Sequence, residues 1–404
     1  MKLSDALHAA AAHLSRAGIV TARLDAELLA GHLLGRSLGQ VRAAAIAGRE
    51  VDEDFTGPFN QAVGERAKRV PLQHITGSAP FRHLSLAVGP GVFIPRPETE
   101  QVAEVAITSL RQLDAESIKQ GRRRHLIAVD LCTGSGALAA AIASEVPRAR
   151  VWAVEIDHDA FTWAERNLED TGVTLVLGDA ATALPELDGT VDLVVANPPY
   201  IAPNQVPTQP EVRDYDPPVA LYGQGPDGLD VPKRVLAAAA RLTRPGGVIV
   251  MEHGDGQGPA LRRLAARLGP WRDIKTLPDL AGRDRMLYAV RRPVGRLRGP
   301  DDDGANGAAD RGAVWDGLVG SDAAHAARRE VSDRPVTAPR TEVAEPSAGP
   351  GDPVAVAPAP APAPRPAPRA PRRSAPALPP PATPREQADR VLARYGHARP
   401  RRAD

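Results

Sequence analysis

Leu3, Leu7, Ala10 and Leu14 recur at helical spacing and predict an amphipathic helix at the start of the chain. A second helix is expected from about Thr21, with Leu24, Leu28 and Leu29 as its apolar side. A third is expected from about Asp52, where Phe55, Phe59 and Val63 share a face. Residues 1–78 thus read as an all-helical unit. Its plain role is a small packed bundle, and its functional role would be recognition of a macromolecular partner. Periodicity does not choose between the two. Around 80–95 the pattern shortens to β-like runs at 84–88 and 92–94, with Gly89-Pro90-Gly91 as the expected turn. Residues 79–100 therefore read as a β-hairpin linker. A helix follows Pro97, with Val102, Val105 and Ala106 on its inner side.

From 126 onward short apolar runs alternate with helical periodicity. Strands are expected at 126–131, 151–154, 173–177, 191–196, 247–251, 271–277 and 286–291. Helices are expected near 136–146, 158–169, 229–242 and 257–268. This alternation over 101–292 predicts an α/β fold, a doubly wound, parallel, Rossmann-like sheet of seven strands. Ligands in such sheets bind beyond the carboxyl ends of the strands, where the strand order reverses.

After about 293 the character changes. Residues 301–352 hold 11 acids against 5 Arg, residues 354–404 hold 10 Arg against 3 acids, and 18 prolines fall between 335 and 400. Such a segment cannot build helices or ladders, so 293–404 is expected to be a disordered Pro/Ala/Arg-rich tail. Its arginines could meet RNA phosphates. A solvated linker is the favoured reading. Over the whole chain the charges nearly cancel, at +1, which by itself points to no nucleic-acid partner.

Cys132 is the sole cysteine, which excludes an intrachain disulfide framework and a cysteine metal cluster; no metal is expected. An acid at Asp5 stands where a signal peptide would be basic, and no run approaches the roughly 20 apolar residues a bilayer span needs. A cytoplasmic protein without membrane contact is expected.

The segment Val129-Asp130-Leu131-Cys132-Thr133-Gly134-Ser135-Gly136 closes the first strand of the sheet and opens a helix. Its glycines let the backbone approach a ligand, and the helix start offers free N–H groups to an anion. In a methyltransferase that anion is a methionine carboxylate, and Asp130 would face the ammonium, directly or through water. Gly134-x-Gly136-x-x-Ala139 equally matches a dinucleotide fingerprint, so the loop alone leaves a dehydrogenase open. Glu155 ends the second strand, where an acid can accept from ribose hydroxyls of either cofactor. Asp157 competes for that role. Asp179 follows the third strand and could bind an adenine amino group, or could simply hold a turn after Gly178.

The fourth strand runs directly into Asn197-Pro198-Pro199-Tyr200. Two prolines stiffen the backbone and remove two N–H donors. The Asn197 side-chain carbonyl and the Pro198 backbone carbonyl can accept both hydrogens of an NH2 group. Tyr200 offers an aromatic face for a planar group. An amide or aromatic amine nitrogen is a poor nucleophile because its lone pair is delocalised. Two acceptors raise its electron density and hold it in line for methyl transfer, without a strong base. A dehydrogenase has no use for this motif. The tetrapeptide therefore decides for S-adenosylmethionine and a class I methyltransferase domain.

Several segments carry a more specific likeness. Pro71-Leu72-Gln73-His74-Ile75-Thr76-Gly77, Phe93-Ile94-Pro95-Arg96-Pro97-Glu98-Thr99-Glu100, Asp227-Gly228-Leu229 and Glu252-His253-Gly254 join the two motifs above. With them, residues 1–292 resemble the protein-glutamine N5-methyltransferases of peptide chain release factors, the HemK/PrmC family. The resemblance implies that the substrate is the glutamine of a release factor's Gly-Gly-Gln loop, that methylation supports translation termination, and that nucleic acid is not required. It places Asn197 and Pro198 on the glutamine amide, with Pro199 and Tyr200 shaping its pocket. It places Cys132 through Gly136, Glu155 and Asn197 around the cofactor. Ala180 stands where some relatives have a larger cofactor-lining residue. The alternative is an N-methyltransferase acting on an exocyclic amine of a nucleic-acid base. The tail and its partner lie outside the resemblance.

Overall fold

A computed structural model describes residues 1–122 and 124–293. The expected tail lies outside the described residues from 294 onward.

The chain opens with five helices: α1 (Leu3–Arg16), α2 (Ala22–Leu34), α3 (Leu38–Ile46), α4 (Glu53–Ala67) and the single turn α5 (Leu72–Thr76). Leu3, Leu7, Leu14, Leu29, Phe55, Phe59 and Val63 meet in one core, with the Phe55 and Phe59 rings stacked at 5.0 Å. The inward face of α2 differs from the expected leucine side. Ala22, Ala26, Leu29 and Ala30 are buried, whereas Leu24 faces outward. Small alanines let the neighbouring helices approach closely. Helix α3 was not anticipated, because only Val41 and Ala45 on it are buried. Its start is nevertheless written in the sequence as a capping box. Ser37 Oγ accepts from the Gln40 N–H at 3.3 Å, and Gln40 Oε1 accepts from the Ser37 N–H at 3.0 Å.

The hairpin pairs β1 (Ser78–Phe81) with β2 (Leu84–Ala87), so its turn is Arg82-His83, not Gly89-Pro90-Gly91. Arg82 takes a positive φ of 53°, unfavourable for a side chain with a Cβ. Its guanidinium is held by Glu145 and by Glu104, and its N–H donates to Glu100 at 3.0 Å. Residues 92–94 form no strand, although Val92 and Ile94 are buried. The expected turn glycines serve close approach instead. A Cβ on Gly89 would lie 2.6 Å from the Trp163 ring.

Helix α6 (Pro97–Lys119) leads into β3 (Leu126–Leu131), α7 (Ala137–Glu145), β4 (Ala149–Glu155), α8 (His158–Leu168), β5 (Thr174–Leu177) and β6 (Val191–Ala196). Two short helices follow, α9 (Pro210–Tyr215) and α10 (Pro218–Leu221), which the helix breakers around them concealed from periodicity. Then come α11 (Asp230–Leu242), β7 (Thr243–Glu252), α12 (Gly258–Leu268), β8 (Trp271–Pro278) and β9 (Asp284–Arg291). The seven strands form one sheet in the order β5-β4-β3-β6-β7-β9-β8. The sheet is mixed rather than wholly parallel, since β9 runs antiparallel to both neighbours. The short connection from β8 to β9 permits a hairpin but not the crossover that a parallel return needs.

Every residue of β6 and all but Ile127 of β3 is buried, which explains their mainly apolar runs; each carries one buried acid, Asp130 in β3 and Asp192 in β6. Strand order reverses between β3 and β6, and Leu131 pairs with Ala196 in register. The glycine loop and the Asn-Pro-Pro-Tyr segment, 60 or more residues apart in sequence, thus leave the sheet side by side.

Candidate active site

A cavity of about 940 Å³ opens at this switch point. On its glycine-loop side it is lined by Cys132, Thr133, Gly134, Ser135, Glu155, Asp179 and Ala180. Cys132, at φ 64°, and Gly134, at φ 58°, turn the chain sharply after β3. Gly136 ends the loop at φ 83°, and a Cβ there would press on Leu168 at 3.0 Å. It is buried and does not line the cavity; its role is to let α7 start close to α8. Burial pushes the Cys132 thiol well above its usual range, so it is no ready nucleophile.

Asp130 does not reach the cavity wall as expected. It lies fully buried beneath the loop, where Oδ2 accepts from Thr133 Oγ1 at 2.5 Å and from the Ala139 N–H at 3.2 Å. It braces the loop from below. Its other oxygen has no partner among the described residues, and burial pushes the carboxyl up to about 7. Glu155 accepts from the Gly134 N–H at 2.7 Å, and from the Ile156 and Asp157 N–H groups at 2.9 Å each. Burial raises its carboxyl despite those bonds. Asp157 caps α8, accepting from Asp159 and Ala160, which accounts for it without a ligand. Asp179 is exposed, lines the cavity and also holds a turn through the Ala181 N–H at 2.8 Å.

Across the cavity stand Asn197, Pro199 and Tyr200, with Pro198 buried between Asn197 and Pro199 in the chain. Asn197 Nδ2 donates to Thr99 Oγ1 at 3.2 Å. Its Nδ2 end is therefore held by the protein, and its Oδ1 end is left to accept. Thr99 Oγ1 in turn donates to Glu252 Oε2 at 2.7 Å, and the Tyr200 hydroxyl donates to Glu252 Oε1 at 3.3 Å. One buried carboxylate thus supports both side chains. Burial pushes Glu252 up to about 7 and raises the Tyr200 phenol out of its usual range. In the sequence Thr99 and Glu252 stand out only as members of the segments that carry the family likeness. Their contact spans 153 residues, and no periodicity announces it.

The segment between Ile201 and Tyr222 forms the outer wall, another feature that sequence patterning missed. It is tied to the helical unit. Glu211 on α9 takes Arg66 at 2.8 Å and Arg69 at 2.6 Å, and Arg66 also holds Asp25 at 2.7 Å. Burial works against the Glu211 charge, but the two arginines outweigh it and hold the carboxyl below its usual range. The Tyr215 hydroxyl donates to the Lys68 carbonyl at 3.3 Å, and Arg96 pairs with buried Asp216.

Residues 5–77 match the family model "PrmC N-terminal domain", and residues 110–211 match "Methyltransferase small domain". A release factor glutamine methyltransferase of Streptomyces coelicolor is 47% identical over 277 residues, covering 68% of this chain and 93% of that relative. One from Bifidobacterium longum is 44% identical, covering 72% of this chain and all of that relative. The chain belongs to the release factor glutamine methyltransferase family. A 4-amino-L-phenylalanine/4-methylamino-L-phenylalanine methyltransferase of Streptomyces pristinaespiralis is also similar, at 39% identity over 72% of this chain and 95% of that relative. A solved Pyrococcus furiosus methyltransferase aligns with a TM-score of 0.38 at 19% identity, over 52% of this chain and 91% of that one.

Proposed function

We infer that this chain transfers a methyl group from S-adenosylmethionine to the side-chain amide nitrogen of the Gly-Gly-Gln glutamine of a peptide chain release factor. The observation that carries this reading is the Asn197 carboxamide. With its Nδ2 end taken by Thr99, its Oδ1 faces as an acceptor, in a cavity shared with the glycine loop.

S-adenosylmethionine fits the glycine side. The loop after β3 brings backbone close to a ligand, and Glu155 stands at the end of β4. Cys132, Thr133, Gly134 and Ser135 would hold it, with Asp179 and Ala180 at the adenine end. When bound, the cofactor supplies an electrophilic methyl on a sulfonium. The chain's own task is then positioning. Asn197 Oδ1 and the Pro198 carbonyl accept the two amide hydrogens, Pro199 keeps the segment stiff, and Tyr200 packs on the amide plane. No side chain needs to remove a proton before transfer, because the nitrogen becomes acidic as it is methylated.

The helical unit serves as the holder of the release factor, and nucleic acid is not required. No described helix is long and apolar enough to cross a membrane, and a cytoplasmic site of action follows from the substrate. The Streptomyces pristinaespiralis relative supplies a second reading, a free aromatic amine, whose NH2 on a planar carbon offers the same two hydrogens. Methylation of a nucleic-acid amine is not favoured by the family. The test is mass spectrometry of a purified release factor incubated with the chain and S-adenosylmethionine, beside 4-aminophenylalanine. A single added methyl on the Gly-Gly-Gln glutamine is expected. Transfer to the amino acid alone would replace the first reading with the second.

A further inference from the structure

Asn197 has two nearly isosteric ends, and only one of them suits an NH2 acceptor. What decides between them lies behind the motif. Thr99 is in the first turn of α6 and 4% exposed; Glu252 is the last residue of β7 and 2% exposed. We propose that Glu252 and Thr99 form a positioning relay that fixes which end of the Asn197 carboxamide meets the substrate, and so selects an acceptor that donates hydrogens. This rests on the reading of Asn197 given above.

The case is an inventory of hydrogens. An ionised carboxylate only accepts. The single hydroxyl hydrogen of Thr99 therefore goes to Glu252 Oε2, at 2.7 Å. The Thr99 oxygen can then only accept, and it takes Nδ2 of Asn197 at 3.2 Å. The opposite end of the carboxamide, Oδ1, is left for the substrate NH2. Protonating Glu252 permits the reverse order. The acid donates to Thr99, Thr99 donates to Asn197 Oδ1, and the Asn197 NH2 turns outward, where it meets the substrate NH2 donor to donor. An unmatched buried donor of that kind is costly.

The charge on Glu252 is poised for such a change. Burial pushes it up to about 7. The groups facing it are the Tyr200 hydroxyl from the segment after β6, Arg285 from β9, Glu98 from α6 and, next in sequence, His253. Arg285 favours the carboxylate and is itself held by Asp279 at 3.2 Å, while Glu98 opposes it. Burial lowers the His253 imidazole, so it adds no charge in the neutral range.

The test uses the full chain, a purified release factor and S-adenosylmethionine. In Thr99→Val, kcat/KM is expected to fall about 10- to 100-fold through misorientation, while cofactor affinity by calorimetry stays within about threefold. Thr99→Ser restores the rate to within about threefold. The wild-type rate falls as pH drops through about 7, and that limb vanishes in Thr99→Val and in Glu252→Gln. Wild-type rates in Thr99→Val, or an unchanged acid limb in it, would overturn the relay. If Thr99→Val also loses cofactor binding, Glu252→Gln decides: a retained limb sinks the proposal. Asn197→Ala separates the two levels. If that variant is inactive while Thr99→Val behaves as wild type, only the relay fails; if it is fully active, the reading of Asn197 fails first.

Discussion

The two sides of the cavity are built in opposite ways. The glycine side comes from one stretch, Asp130 to Gly136, plus the ends of β4 and β5, and its bonds are mostly between near neighbours. Thr133 reaches back three residues to Asp130, and Gly134 reaches across 21 residues to Glu155. The acceptor side is gathered from Thr99, the segment after β6, Glu252 at the end of β7 and Arg285 on β9. Its outer wall is tied across 142 residues, from Glu211 to Arg69 in the helical unit. A bound methyl donor is much the same for every such enzyme, so a compact local device can hold it. The acceptor differs between enzymes, and here its pocket is assembled by tertiary contacts that also involve the helical unit.

The largest expected effect tests the division itself. Asn197→Ala should lower methyl transfer to a release factor by about 10³-fold, roughly 4 kcal/mol of barrier, with cofactor affinity by calorimetry within about threefold. Equal losses in rate and cofactor binding would erase the boundary between the two sides.

Next comes the tie between the helical unit and the wall. Arg66→Met leaves Asp25 and Glu211 facing each other without their shared partner. Removing one member of a buried ion group costs about 3–5 kcal/mol. Denaturant unfolding should show a loss of that order, with KM for the release factor raised more than the Kd for the cofactor. An unchanged KM would make the tie a matter of stability alone.

On the glycine side, Gly136→Val puts a branched side chain at φ 83° with Leu168 3.0 Å from its Cβ. Cofactor affinity should fall about 30- to 100-fold, or roughly 2–3 kcal/mol, through displacement of the loop. Normal affinity would show that the loop tolerates a shift of α7.

The smallest effect concerns Asp130. Its folded-state pKa is raised from the ordinary carboxylate range to about 7, chiefly by burial. Such a group contributes stability below its unfolded value, and loses it as pH rises through about 7. Asp130→Asn should therefore raise Tm by about 2–4 °C at about pH 8, with the gain closing toward about pH 4. A gain independent of pH would refute burial as the cause.

Much of this was legible beforehand for a physical reason. Strands buried on both faces read as mainly apolar runs, and the expected bounds of β6, Val191–Ala196, are those of the structure, even with the buried Asp192 inside it. Amphipathic α1, and α4 with Phe55, Phe59 and Val63 on one face, were equally plain. Helices α3, α9 and α10 escaped because two or fewer of their residues are buried. The hairpin turn was misplaced because Gly-Pro-Gly is the usual turn signal, yet those glycines make room for Trp163 and Asp159, while ion pairs hold Arg82 in the turn.

By itself the sequence determined the layered α/β architecture and located the glycine loop and the Asn-Pro-Pro-Tyr segment, on which the proposal of an NH2 acceptor rests. These are written in patterns of a few consecutive residues, where backbone geometry acts. Only the tertiary structure decided that Asp130 lies beneath its loop, that β9 runs antiparallel, and that Thr99 and Glu252 stand behind Asn197. Those features depend on which distant groups share a desolvated space. A hydroxyl and a carboxylate 153 residues apart leave no mark on local periodicity until the sheet brings them to 2.7 Å.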